Sequence, residues 1–537
     1  MNNPQDKFTE ALIVAMGASY KSYGKSDVEL SVSRCSPKFG DFSTNVAFRL
    51  AKDEGISPEV AAAPIVAALS NCKDIVSAEY LPPGFINATL KQEIWVDYLA
   101  SIGKDFGFSK KGHGSKIQLE FISANPTGPL VLTNAWQGYY GDILSNIFSS
   151  QGYLVSREYY LNDGGNQIVS LGRAVQQSLG KKFSEEIASE LYRGEYISII
   201  ADIITTEIGS PDLVTTAEPS QIGLKAAKLI LEQYIKPDLA RLGVKFDSIY
   251  SEGRPDIQKT LNRLEDAGLS KHKDGALWLD GSKVGLKQDE VLVRSYDDGH
   301  SYFLKDIAYQ LERLEERGFN ETITIVGPDH HGQSIRLLNT LKALGHSGFS
   351  ELSTQTIRLI RAGKEFKMSK RKGNYVLLDD FLDTVPTEAA RFYFAMRDTN
   401  THMDFDIDLI SQHSSKNPVY YSLYAYARAC SIEEKAQKEG VEVATSLKGY
   451  SLTDCEKHIA VELSKLPEIL LEITSSHKVH QLLHHTVEIA KSFHEYYEQD
   501  RVLSSTKAAQ KLFIIARFKR AYESIFSILG VDLLEKM

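Results

Sequence analysis

A short basic segment, residues 364–374, holds the side chains of this sequence that are best suited to phosphate chemistry. Its cations are Lys364, Lys367, Lys370, Arg371 and Lys372. Gly373 and Asn374 end the segment, which favours a turn or a loop there. Two lysines close together on a loop can bind a polyphosphate and neutralise the charge on a leaving pyrophosphate. A solvated basic turn is the simpler explanation of a lysine-rich run, so the rest of the sequence must decide.

A predicted strand, loop and helix succeed one another earlier in the chain, as in the nucleotide site of a doubly wound α/β domain. The mostly apolar run 117–122, with β-branched and aromatic residues, predicts a buried strand, and two prolines and a glycine in 123–130 predict the loop. A helix is expected to begin near Asn134, where backbone N–H groups would favour an anion. Neither a P-loop nor a G-x-G-x-x-G fingerprint is present.

Polar loops also follow the predicted strands 153–161 and 322–326, and an open α/β sheet binds ligands at such loops. Tyr302 and Asp306 lie four positions apart and would share one face of a helix. A carboxylate beside a phenol can bind a planar cation such as a guanidinium. An exposed pair on a helix surface is the alternative interpretation.

Composition indicates a globular protein of about three domains, since the chain has 537 residues with 42% apolar and 24% charged side chains. The net charge, 61 − 70 = −9, does not favour a nucleic-acid binder, but it does not exclude a local basic face. Four scattered cysteines argue against a zinc knuckle and a disulfide framework, and predict a reduced, cytoplasmic setting. No signal peptide or membrane-spanning run is predicted.

The predicted organisation has three parts. Residues 1–110 form a small α+β unit, and residues 111–405 form an α/β core with a helical insertion at about 170–245. Residues 406–537 are predicted to be helical throughout, with aromatic side chains at helical spacing. Such stripes are usually core, although stacking on single-stranded RNA is the other interpretation. His477, His480 and His484 would share a helix face, which we interpret as solvated, and no structural metal is predicted.

Several motifs resemble one family. The basic segment contains Lys367-Met368-Ser369-Lys370, which resembles the loop of that sequence in class I aminoacyl-tRNA synthetases. Segments similar to motifs of arginyl-tRNA synthetases, in family order, are 40–45, 120–130, 157–167, 192–196, 306–309, 327–332, 417–421 and 493–497. The chain is identified as a member of that family. The resemblance implies a multidomain α/β protein, with a class I Rossmann-type catalytic core, a small N-terminal α+β domain that contacts tRNA and a C-terminal α-helical anticodon-binding bundle.

The resemblance also implies a reaction and its partners. L-Arginine would react with ATP to give arginyl-adenylate and pyrophosphate, and the arginyl group would pass to the terminal adenosine of tRNA(Arg). Mg²⁺ would arrive with ATP. A cytoplasmic monomer with no membrane association is expected.

Residue by residue, the resemblance predicts the site. The arginine pocket would contain Ser123, Asn125, Asn134, Asn162, Tyr302, Asp306 and His330, with Asp306 on the guanidinium. ATP would contact Gly128, Thr133, Asn134, Met368, Ser369 and Lys370. Lys367, Lys370 and Asn134 would act in catalysis. Transfer RNA would contact Asn45, Tyr424, Arg428 and Met537.

One motif departs from the family. After Leu130 the family has His-Ile-Gly-His, whereas this chain has Val131-Leu132-Thr133-Asn134. Asn134 can still donate one hydrogen bond and accept another, so it can replace the second histidine. The ATP site is either rewired or weakened, and the Lys367–Lys370 motif favours a rewired one. The alternatives are a non-catalytic tRNA-binding paralogue and a class I-like ligase or adenylyltransferase for another substrate.

Overall fold

The computed structural model describes residues 3–20, 31–294, 299–328, 331–366 and 376–537. The N-terminal part is an antiparallel sheet of strand order β1-β2-β4-β3 packed against helices. Its elements are α1 Pro4–Ser19, β1 Val32–Arg34, β2 Phe42–Thr44, α2 Val46–Glu54, α3 Pro58–Ser70, β3 Ile75–Leu81, β4 Phe85–Leu90 and α4 Gln92–Ser101. Phe42 lies at the centre of its core, stacked between Phe8 at 5.7 Å and Trp95 at 6.3 Å.

The core is built on a five-stranded parallel sheet. Its strands are β5 Lys116–Glu120, β6 Leu154–Leu161, β7 Ser248–Ser251, β11 Glu321–Val326 and β12 Phe349–Ser353, in the spatial order β12-β11-β5-β6-β7. The chain therefore runs outward from β5 to β7 on one side and from β11 to β12 on the other. The order reverses between β5 and β11, and ligands of open α/β sheets bind beside such a switch point.

Helices cover the sheet and fill the connection between β6 and β7. The long helix after β5 is α5 Leu132–Ser150, and its apolar side chains are nearly all buried. The insertion consists of α6 Gly165–Ser178, α7 Glu185–Ser189, α8 Glu195–Ile208, α9 Pro211–Thr216, α10 Pro219–Ile230, the π-helical turn Leu231–Ile235 and α11 Lys236–Leu242. It begins somewhat earlier than the expected residue 170.

A second hydrophobic cluster lies beside the sheet. Its side chains come from α12 Ile257–Asp266, β9 Ala276–Leu279, β10 Glu290–Val293, α13 Tyr302–Leu311, the π-helical turn Glu312–Glu316 and α14 His331–Ala343. The strand β8 Ser270–Lys273 pairs with β9. The core closes with β13 Ile357–Arg361, β14 Lys364–Glu365, α15 Leu378–Leu382, α16 Thr387–Ala395, β15 Met403–Asp406 and α17 Ile407–Ile410.

The C-terminal part is a helical bundle. Its helices are α18 Pro418–Lys438, α19 Asp454–Ser476, α20 His480–Gln499 and α21 Ala508–Leu529. Its core includes Phe493 and Phe518, whose rings stack 4.1 Å apart. The α/β fold class with its N-terminal α+β and C-terminal helical parts is thus confirmed. Within the described ranges, no helix has the length and apolar character needed to cross a bilayer.

Buried polar contacts join the bundle to the core. Arg391 of α16, 3% exposed, donates to the carboxylate of Asp142 on α5 and to the carbonyl oxygen of Leu529 at the end of α21. Arg157 lies on the other carboxylate oxygen, 3.3 Å away. One guanidinium thus links the helix that starts at the switch point to the last helix of the bundle.

Replacing Arg391 with Ala should lower the free energy of unfolding by about 2–4 kcal/mol, because it leaves Asp142 and the Leu529 carbonyl buried with fewer partners. Thermal and urea unfolding of the purified protein would measure the loss. Exposed Arg397 on the same stretch gives a matched control, and Arg397→Ala should change the stability little. Equal effects of the two substitutions would contradict this role.

Candidate active site

A cavity of about 620 Å³ opens at the carboxyl ends of β5 and β11, beside the switch point. Its lining includes these residues predicted from the sequence: Ser123, Asn125, Asn134, Asn162, Tyr302 and Asp306. They come from the loop after β5, the start of α5, the loop after β6 and the first turns of α13. The structure therefore brings together side chains that are up to 183 positions apart in the chain.

The loop after β5 has a left-handed backbone, with φ of 67° at Ile122 and 39° at Ser123. A β-branched residue is strained there, and strain of this kind concentrates at functional sites. Hydrogen bonds hold the turn: the Ser123 hydroxyl donates to Glu120 at 3.1 Å and accepts the Tyr160 N–H at 3.0 Å. Tyr159 donates to the Ala124 carbonyl at 2.6 Å. Ser123 and Asn125 are thus presented to the cavity by a fixed backbone.

The cavity is acidic. Glu120, Glu252, Asp306 and Glu351 line it, and no lysine or arginine is among its described lining residues. Burial raises the pKa of the Tyr160 phenol, and the carboxylates of Glu252, Asp306 and Glu120 raise it further. The phenol therefore stays neutral at physiological pH. Such a pocket favours a cationic ligand.

Tyr302 and Asp306 lie on the first turns of α13, as the sequence predicts, and both face the cavity. The Tyr302 side chain is largely accessible, with 57% exposure, and Lys305 lies 5.4 Å from its ring. Lys305 itself pairs with Glu252 at 3.2 Å. Across the cavity, the buried Oδ1 atom of Asn162 has no hydrogen-bond partner among the described residues. It is an acceptor that a ligand ammonium could satisfy.

At the start of α5, Asn134 caps the helix from inside its first turn. The N–H of Val131 donates to Asn134 Oδ1 at 2.9 Å, and Asn134 Nδ2 donates to Gln137 Oε1 at 3.3 Å. Gly128 and Thr133 are not among the cavity-lining residues. A Cβ at Gly128 would lie 3.3 Å from the Tyr196 hydroxyl, which donates to the Thr127 carbonyl.

The predicted residues His330, Lys367, Met368, Ser369 and Lys370 lie outside the described residues. The description resumes at Val376, where the backbone adjoins the start of α5. The Leu132 N–H donates to the Val376 carbonyl at 3.0 Å, and the Leu378 N–H donates to the Leu130 carbonyl at 2.9 Å. The backbone after the basic segment is therefore hydrogen-bonded to the start of α5.

The helical insertion also contacts the loop before α5 and the residues on and beside α15. The buried carboxylate of Asp238 accepts the N–H of Leu130, while Arg241 binds Asp379 and Asp383 on and beside α15, the latter at 2.8 Å. Burial, with the charge of Asp379, raises the pKa of Asp238 to about 6.

In the bundle, the Arg428 guanidinium lies 4.6 Å from the ring centre of Tyr424 and 4.4 Å from that of Tyr497. Tyr420 stacks on Tyr424 at 5.5 Å, which extends the array along α18. Asn45 is exposed in the N-terminal part, and Met537 is 47% exposed. These four predicted tRNA contacts, Asn45, Tyr424, Arg428 and Met537, lie away from the cavity.

The predicted shared face of His477, His480 and His484 is wrong. His477 ends α19 with a left-handed backbone, φ 58°, and α20 begins only at His480. A helix that stops and restarts has no common face across the break. Within the described ranges, no group of three His, Cys, Asp or Glu side chains could hold a metal ion.

The fold and site define the class of protein. The chain matches the family described as tRNA synthetases class I (R), catalytic domain, over residues 99–406. It also matches the Arginyl tRNA synthetase N terminal domain over residues 3–90 and the DALR anticodon binding domain over residues 422–537. The chain is a class I aminoacyl-tRNA synthetase.

Comparison with related proteins identifies the family to which this chain belongs. The chain is 34% identical to an arginine–tRNA ligase of Oceanobacillus iheyensis, over 93% of this chain and 92% of that protein. It is 36% identical to one of Geotalea uraniireducens, over 93% of each chain. The arginyl-tRNA synthetase structure of Thermus thermophilus shares the fold, with a TM-score of 0.77 and 20% identity over 99% of this chain and 100% of that one. This chain belongs to the arginine–tRNA ligase family, whose enzymes use ATP.

Sequence reasoning assigned no role to Glu120, Glu252 or Gln137, although all three line the cavity. Glu120 carried a signal, because it is a carboxylate at the end of a strand that is buried from Ile117 onward. Glu252 follows the short strand β7 and Gln137 lies inside a buried helix, so only the fold brings them to the site.

The pKa of Asp238 makes its effect on stability pH-dependent. Because the folded-state pKa exceeds the unfolded value of 3.8, the ionised carboxylate destabilises the fold at pH 8. Asp238→Asn keeps the acceptor for Leu130 and should stabilise the protein by about 1–3 kcal/mol at pH 8, with the gain fading between pH 6 and 4.

Unfolding midpoints of Asp238→Asn and the parent protein from pH 4 to 8 would test this. Exposed Asp202→Asn, in the same insertion, is the control and should show no comparable gain. A destabilised Asp238→Asn at pH 8 would show that its ionised form supports the loop before α5.

Proposed function

We propose that this chain activates L-arginine with ATP and transfers the arginyl group to the 3′-terminal adenosine of tRNA(Arg). The observation that carries the proposal is the acidic cavity at the switch point of a class I catalytic domain. Its carboxylates suit a guanidinium, which is planar and always charged.

In the proposed arginine pocket, Asp306 binds the guanidinium and Tyr302 lies beside it. Glu120 and Glu252 also line this pocket, where they pair with Arg313 and Lys305. Asn162 Oδ1 accepts from the α-ammonium group, since this buried oxygen otherwise has no partner among the described residues. Ser123, Asn125 and His330 complete the pocket.

In the proposed ATP site, Lys367 and Lys370 stabilise charge on the departing pyrophosphate, and Met368 and Ser369 lie near the adenosine. Asn134 replaces the second histidine of the family motif as a donor to phosphate. Gly128 and Thr133 shape the approach of the adenosine, and Mg²⁺ arrives with ATP.

In the proposed tRNA complex, Asn45 contacts the body of the tRNA, and Tyr424, Arg428 and Met537 contact the anticodon loop. The division into 1–110, 111–405 and 406–537 separates these tasks. We further propose a monomer that works in the cytoplasm.

Arginine-dependent ATP–pyrophosphate exchange, measured with and without tRNA(Arg), tests the reaction. Asp306→Asn should raise the KM for arginine by about 100-fold or more, because it removes the charge that pairs with the guanidinium. Exposed Asp266→Asn is the charge-matched control and should leave exchange unchanged. Asn134→Ala should lower the exchange rate by about two to three decades.

Two results would redirect the proposal. Absence of exchange with and without tRNA, alongside tRNA binding, would favour the non-catalytic paralogue. An exchange rate that does not depend on arginine and is unchanged in Asp306→Asn would favour a ligase for another substrate.

Anticodon contact is tested separately by tRNA binding. Arg428→Ala should raise the Kd for tRNA(Arg) by about 10-fold, because it removes a cation from the stacked array on α18. Lys435→Ala, an exposed cation on the same helix, is the control for a general loss of charge. Equal losses would indicate non-specific attraction instead of a contact at Arg428.

A further inference from the structure

We propose that Gln137 and Thr354 are positioning residues that fix Asn134 as a hydrogen-bond donor to ATP. This inference rests on the proposed function, and it concerns the departure of this chain from the family motif. The two residues lie on different elements, inside α5 and just after β12, and both are buried, with 4% and 0% exposure.

The contacts form a relay across the switch point. Asn134 Nδ2 donates to Gln137 Oε1 at 3.3 Å, and Gln137 Nε2 donates to the Thr354 hydroxyl at 3.4 Å. Thr354 in turn donates to the carbonyl of Val326, the last residue of β11, at 3.0 Å. The start of α5 is thereby tied to the edge of the sheet at which the cavity opens.

Backbone groups at both ends determine the direction of the relay. The Val326 carbonyl can only accept, so the Thr354 hydroxyl gives its proton there and accepts from Gln137. At the other end, the Val131 N–H can only donate, so Asn134 must turn Oδ1 towards it. If the Asn134 amide were reversed, its Nδ2 donor would face the Val131 N–H donor. If the Gln137 amide were reversed, its Nε2 donor would face the Asn134 Nδ2 donor.

The consequence concerns the second hydrogen of Asn134 Nδ2. One hydrogen is given to Gln137, and the other has no partner within the described ranges, while Asn134 lines the cavity. A phosphate oxygen only accepts, so a donor with a fixed orientation suits it. Without Gln137 and Thr354, the Val131 N–H would be the remaining contact that orients the Asn134 amide, and the amide would be held less firmly.

A double-mutant cycle tests the coupling between Gln137 and Asn134 by ATP–pyrophosphate exchange with tRNA present. Gln137→Met keeps the volume and removes both hydrogen bonds, and we expect kcat to fall about 10-fold with little change in the KM for arginine. In the Gln137→Met background, Asn134→Ala should cost much less than it does alone, because the two residues act as one unit.

The far end of the relay offers an isosteric test. Thr354→Val removes the hydroxyl at nearly constant shape and should lower kcat in the same direction as Gln137→Met. Thr354→Ser keeps the hydroxyl and should recover most of the rate. A purely structural role would instead follow side-chain volume, so thermal unfolding of each variant accompanies the kinetics.

Additive effects of Gln137→Met and Asn134→Ala would overturn the inference, as would equal rates for Thr354→Val and Thr354→Ser. A change of less than about two-fold in Gln137→Met would do the same. Failure of the proposed function looks different, since the unmodified protein would then show no arginine-dependent exchange at all.

Discussion

The site depends on a buried ion pair beneath the switch point, between Glu120 of β5 and Arg313. Arg313 is fully buried, and its guanidinium lies 3.3 Å from Glu120, 3.2 Å from Thr324 of β11 and 4.9 Å from the ring of Tyr309. A buried guanidinium needs all of these partners, because an unpaired charge there costs several kcal/mol, about 3–5. The strands that flank the cavity therefore keep one relative position.

The same pair fixes the helix that carries Tyr302 and Asp306. Arg313 lies in the π-helical turn directly after α13, so its anchorage to β5 and β11 sets where α13 stands over the sheet. Burial raises the pKa of Glu120, and Arg313 opposes that rise. Next to it, Arg317 holds Glu158 in two hydrogen bonds. Arg313 and Arg317 thus offset the carboxylates of Glu120 and Glu158, which would otherwise repel each other.

Patterns within single segments of the sequence predicted much of the fold around the cavity. The strand, loop and helix around 117–134 and the shared face of Tyr302 and Asp306 follow from periodicity within one segment. The interior polar contacts do not, because Gln137 and Thr354 lie 217 positions apart and only the folded chain brings them together. Periodicity also failed at His477, where a left-handed residue ends α19. Glu120 could have been suspected from a charge at the end of a buried strand, but its partner Arg313 lies in an unrelated helix.

Exchanging an imidazole for an amide also changes which groups can titrate at the proposed ATP site. Histidine ordinarily changes charge near pH 6.5, so a histidine donor varies in strength across the physiological range. The Asn134 amide does not titrate, and its direction is set by the Val131 N–H and by Gln137. It lacks a positive charge, so more of the phosphate charge must be neutralised by cations elsewhere. The lysines between Lys364 and Lys372 are the nearest such group in sequence to Val376, whose carbonyl is hydrogen-bonded to the first turn of α5. A neutral donor of fixed orientation, together with the lysines of the basic segment, is therefore a self-consistent replacement for the family motif in the proposed ATP site.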